Sequence, residues 1–127
     1  MRWLRSVTAV LVLLGVFTSH PADASTSVVQ VFGSSFCPGG VWTVSVRLTD
    51  TRVGGDLVDV WDTHPAAPVK VADSVQLLFG VPVDPAVTFT PPDKKTTVDV
   101  VPHGALAFSH IGEWRGARPA GCSGVGA

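Results

Sequence analysis

VWTVSVRLTDT, residues 41–51, alternates without a break: Trp42, Val44, Val46 and Leu48 share one parity, and Thr43, Ser45, Arg47 and Thr49 the other. Successive side chains of a strand point to opposite faces, so the pattern predicts a half-buried β-strand with Trp42 in the core. The same period, less regular, recurs at 28–32, 57–61, 69–71, 75–79, 87–90, 97–101 and 106–111. Between these runs stand CPGG, RVGGD, HPAAP, GVPVDP, PPDKK and PHG. Each supplies residues that fix φ or tolerate φ > 0, as turns require. Helical periodicity is absent from this region, and ten prolines with many β-branched residues oppose long helices.

The chain opens MRWLRSVTAVLVLLGVFTSHPADA. Arg2 and Arg5 precede a short apolar run from Val7 to Phe17, and Ala22-Asp23-Ala24 offers the small-x-small pattern of a cleavage site. This is the form of a secretory signal peptide, predicted to occupy residues 1–24. The run is shorter than the roughly 20 helical residues that span a bilayer, so a membrane anchor is the weaker reading. No cysteine stands at the cleavage site for lipid attachment, and no second apolar segment follows. The expectation is a secreted, extracellular protein with no membrane association after cleavage.

Cleavage would leave residues 25–127, enough for one compact domain. Losing Arg2, Arg5 and Asp23 leaves seven Lys/Arg against nine Asp/Glu, a formal charge of −2. No basic stripe is visible, which argues against nucleic acid as a partner; the one basic pair, Lys94-Lys95, reads as a solvated hairpin tip. Seven or eight short strands predict an antiparallel sandwich or barrel, and an immunoglobulin-like sandwich best fits the length. Two antibody hallmarks are missing: there is no Tyr for a tyrosine corner, and the cysteines lie outside the central strands.

Cys37 and Cys122 are the only cysteines. In an oxidising compartment an even number favours a disulfide. The loop closed would be about 86 residues, for which chain-entropy reasoning gives on the order of 4–5 kcal/mol. It would tie the turn before the Trp42 strand to the segment after the last strand. With CPGGVWTVSVRLTDT near the start, a strand ending at Gly112 and WRGARPAGC at the close, the chain resembles small immunoglobulin-like β-sandwich domains of secreted and cell-wall proteins in actinobacteria. That resemblance implies a fold and an extracellular or cell-surface role, and carries over no catalytic residues. In this reading SGVGA, after Cys122, frays.

No catalytic or cofactor signature emerges, and the expectation is a non-enzymatic protein with no metal or other cofactor. In LVDVWDTH, Asp59, Asp62 and His64 crowd around Trp61. A metal or general-base role would need His103 or His110 brought close, whereas Asp62-Thr63-His64-Pro65 reads more simply as a turn. Ser109, His110 and Asp99 could be drawn as a triad, but nothing resembles a nucleophile elbow. His110 shares parity with Leu106 and Phe108, which places it at the edge of the core. Trp61 and Trp114, with Arg115 and Arg118, are the candidate surface-binding residues, Trp114 being the more accessible; Trp114 reads more simply as a cap over the sandwich end, with Arg115 or Arg118 stacked on an aromatic face. The expected function is a binding, adhesion or structural module for an unknown protein or cell-wall glycan. A carbohydrate-binding module using exposed Trp and a small protease inhibitor, presenting HPAAPVK or DPAVTFTPPDKK, are the alternatives.

Overall fold

The computed structural model describes residues 27–124, so the predicted signal peptide lies outside the described residues. Seven strands form two antiparallel sheets: β1 (Val29–Phe36), β2 (Thr43–Asp50), β3 (Asp56–Asp62), β4 (Val69–Leu77), β5 (Val87–Phe89), β6 (Lys95–Pro102) and β7 (Gly112–Ala117). One sheet has the order β1-β2-β5 and the other β4-β3-β6-β7. The only helical element among the described residues is a 3-10 turn at Pro38–Gly40.

Between the sheets lie Trp42, Val44, Val46 and Leu48 from the β2 region, facing Val58 and Val60 of β3 and Val98 and Val100 of β6, all fully buried. The alternation of residues 41–51 is therefore obeyed at every position that reaches the core. Trp42 satisfies its one polar atom by donating Nε1–H to Ser35 Oγ at 3.1 Å. Removing so large a buried side chain costs about 3–5 kcal/mol in comparable cores.

Cys37, after β1, is bonded to Cys122, after β7. The bond joins residues 85 apart and fastens the β1–β2 connection to the segment after β7. The tail does not fray directly after it. Ser123 donates its N–H to Gly40 O at 2.6 Å and accepts the Trp42 N–H at 2.9 Å, so the segment is held by backbone pairing as well as by sulfur.

Three expectations need correction. Residues 106–111 are not a strand: they belong to a loop, 103–111, closed by Ala105 N–H to Pro102 O and Ser109 N–H to Leu106 O. Their alternation has no partner strand to satisfy, and Leu106, Phe108 and His110 are exposed. Gly112 begins the last strand rather than ending it, and the tail GEWRGA is β7. The runs 69–71 and 75–79 are one strand, β4, interrupted by a bulge opposite Val58–Val60, and the strand stops at Leu77. Ser74 sits in that bulge at φ 55, a left-handed conformation rarely held by a residue other than Gly, Asn or Asp.

The connections place the termini of the strands at two distinct ends. Residues 51–55, 78–86 and 103–111 all leave the sandwich at the end where residue 28 enters it. Thr51 N–H to Val28 O, Val28 N–H to Ile111 O, Gly80 N–H to Asp50 O and His103 N–H to Leu57 O bind these loops together. The disulfide lies at the other end, with residues 63–68 and 90–94.

Candidate functional site

Asp59 is fully buried although its parity places it on the outer face of β3, away from the apolar core. What covers it is the β4 bulge on one side and the start of the 103–111 loop on the other. Its Oδ1 accepts the Ser74 N–H at 2.9 Å and lies 2.8 Å from His103 Nδ1. Its Oδ2 accepts the Gly104 N–H at 2.9 Å and sits 3.5 Å from Lys70 Nζ. Burial alone would raise this carboxyl, but hydrogen bonds from His103, Ser74 and Gly104 outweigh it and hold Asp59 well below the usual carboxylate range. The strained Ser74 backbone is thus compensated by a charge-assisted bond.

His103 is one of the two histidines the sequence pointed to as partners of this region; the other, His110, stays in the exposed loop. Asp59, Asp73 and His103 offer ligand atoms within 4.8 Å of one another. Both Asp59 oxygens are already engaged by N–H donors, and the Lys70 ammonium stands beside them, so a cation would have to displace existing partners. The group also fails as a hydrolytic triad. Ser74 Oγ, at 3.4 Å, and Asp59 Oδ1 both face the same ring nitrogen of His103. A general base needs the carboxylate on one nitrogen and the nucleophile on the other. The arrangement pins the bulge to the loop.

Asp62 faces inward at the end of β3, buried, and its Oδ1 accepts N–H bonds from His64 and Thr97. This is the turn chemistry expected of Asp62-Thr63-His64-Pro65. His64 Nδ1 in turn lies 3.0 Å from Asp93 Oδ2. Asp99 accepts Thr63 Oγ1–H at 2.9 Å, leaves Oδ1 buried without a partner, and is raised above the usual carboxylate range by burial. Among the described residues no hydrogen bond joins it to Ser109 or His110.

The two tryptophans occupy opposite faces of the four-stranded sheet. Trp61 lies on the outer face, half-buried, with Lys70 Nζ 5.3 Å from the ring centroid. Trp114 points inward, half-buried, and packs against the core. Its ring lies flat over Gly33 of β1 and Gly116 of β7, where a Cβ on either glycine would overlap it. It closes the gap between the two sheets at the β1/β7 side. Arg115 projects outward, its Nε–H donated to Glu113 at 3.0 Å. Arg118 lies against the backbone of Gly124. The sequence left Trp114, Arg115 and Arg118 either to cap the sandwich or to face a partner; the Trp114 ring packs inward, Arg115 points outward and Arg118 lies beside Gly124.

A feature the sequence reading missed is the apolar character of the loop end. Of the ten large apolar residues exposed among the described residues, six are in the three loops there: Val53, Leu78, Phe79, Val81, Leu106 and Phe108. Leu106 is 80 % exposed and Phe108 65 %. The alternation of 106–111 predicts a half-buried strand with its apolar parity inward, whereas the segment is a loop that exposes Leu106 and Phe108.

Fold and surface together define a disulfide-linked, all-β domain of two antiparallel sheets. Among its described residues no helix is long and apolar enough to cross a membrane. No family model, no curated protein and no solved structure matches the chain.

Proposed function

We propose that this chain is a secreted, non-enzymatic domain of immunoglobulin-like type that acts by binding another protein through the loop end of the sandwich. The strand orders β1-β2-β5 and β4-β3-β6-β7 support the immunoglobulin-like reading, as β5 returns to the first sheet and β6 to the second. The Cys37–Cys122 disulfide supports an oxidising, extracellular destination. The observation that carries the binding role is the exposure of Val53, Leu78, Phe79, Val81, Leu106 and Phe108 on three loops at one end of the sandwich. A monomer gains nothing by exposing apolar side chains together, and such patches mark interaction sites. Loops carried on a rigid sandwich are a common place for binding residues.

The mature chain, immobilised through a lysine-free tag at its C-terminus, would be exposed to culture supernatant and detergent-extracted cell surface proteins of the source organism. Wild type is expected to retain a discrete protein that Phe79→Ser/Leu106→Ser/Phe108→Ser loses, while Phe32→Ser, on the outer face of the other sheet, still retains it. Equal retention by all three would remove the loop end from the reading.

A further inference from the structure

The cations of the described chain are distributed unevenly. Arg47 is paired with Asp84, Arg52 with Asp56, Lys70 with Asp59 and Asp73, and Arg115 with Glu113. Lys94, Lys95 and Arg118 have no ion-pair partner among the described residues, and all three lie at the same corner. The β6/β7 register places Lys95 opposite Ala117 and Thr97 opposite Arg115, and Arg118 donates its N–H to Lys94 O at 2.8 Å. The disulfide end of this hairpin thus carries four cationic residues, Lys95 and Arg115 on its outer face and Lys94 and Arg118 at positions of the opposite parity, in a chain whose expected mature charge is negative.

A shallow cleft of about 500 Å³ opens there, lined by residues that include His64, Lys95, Thr97, Arg115, Gly116 and Ala117. The volume falls in the range of about 300–1,000 Å³ typical of ligand sites. Two acidic side chains border it, Asp93 beside His64 and Glu113 paired with Arg115, against the four Lys and Arg residues of this hairpin end, so the corner keeps an excess of positive charge. The ring in the lining is the His64 imidazole, which is engaged with Asp93 Oδ2 at 3.0 Å. Without a Trp or Phe side chain in the lining, the cleft offers nucleotide bases a poor stacking surface. Hydroxyl and cationic groups on a shallow surface suit a sugar chain that bears carboxylates.

We propose that this cleft binds a carboxylate-bearing polysaccharide, with Lys95 and Arg115 as the principal contacts. The site lies at the opposite end from the apolar loops and does not depend on the reading given to them. At neutral pH and low ionic strength, calorimetric titration with polygalacturonate is expected to show binding that weakens about tenfold or more in Lys95→Ala/Arg115→Ala. Arg47→Ala, which removes an exposed cation from the other sheet, is expected to bind like wild type, and neutral dextran to give no binding. Raising the salt concentration should suppress the interaction. Unchanged melting temperatures and circular dichroism would establish that the variants are folded, since all three side chains are exposed. Absence of binding to polygalacturonate, equal affinity of the double variant, an equal loss in Arg47→Ala, or tighter binding of poly(dT) would each overturn the proposal.

Discussion

Trp114 of β7 lies so close over Gly33 of β1 that a Cβ at residue 33 would come within 2.5 Å of its Cδ2. The two strands belong to different sheets, so this contact closes one side of the sandwich. A glycine is required at 33 by the ring, and a second at 116, where the ring's far edge passes. Gly33→Ala is expected to lower stability by about 1–3 kcal/mol, the usual cost of overpacking a filled site. Denaturant unfolding followed by tryptophan fluorescence would check this. An unchanged midpoint would mean that the ring is free to move aside.

That contact also explains why β7 was hard to read. Its inward positions are Gly112, Trp114 and Gly116, and glycine is the residue that most obscures a strand's alternation. Gly112 is small because the carbonyl of Val29 lies where its Cβ would be, at 2.5 Å. Residues 106–111 failed in the opposite way, with good alternation and no neighbouring strand to pair with. Residues 41–51 were legible because β2 sits between β1 and β5, with its inward side chains wholly buried. The meeting of Asp59 with His103, across 44 positions, depends on a β-bulge and a loop and has no local signature.

The disulfide should appear directly in chemistry and in stability. Unfolding the unreduced protein is expected to expose no free thiol, and Cys37→Ala/Cys122→Ala to lose on the order of 4–5 kcal/mol by the chain-entropy argument. Ser123 pairs with Gly40 by backbone bonds as well, so the variant should still fold. Thiol titration and a urea midpoint would test both statements.

Asp59→Asn is expected to destabilise the protein at neutral pH, because the buried carboxylate accepts two backbone N–H bonds and neighbours His103 and Lys70. The folded-state pKa is depressed, so the carboxylate's contribution is fully present above its unfolded value, near 4, and is lost as pH falls through the lower folded value. The gap in melting temperature between wild type and variant should therefore stay level from pH 7 to about 5 and narrow only in more acidic solution. A gap that disappears already at pH 6 would contradict the carboxylate's part in it.

Asp99 carries the opposite sign. Burial raises its pKa, and one oxygen has no partner, so ionisation opposes folding once pH exceeds the unfolded value. Asp99→Asn keeps an acceptor for the Thr63 hydroxyl and removes the charge. It is expected to raise the melting temperature at pH 7 to 8, with the gain shrinking towards zero below about pH 4. A loss at pH 7 would show that the buried charge is favourable where it stands.

The central claim is that the loop end meets a protein partner. A photo-crosslinking residue at Leu106, and separately at Phe79, would report on contact in living cultures, with Thr49 on the outer face of the three-stranded sheet as the comparison. The account predicts the same discrete protein adduct from 106 and 79 and none from 49. Adducts at 49 alone, or none from either loop, would contradict it.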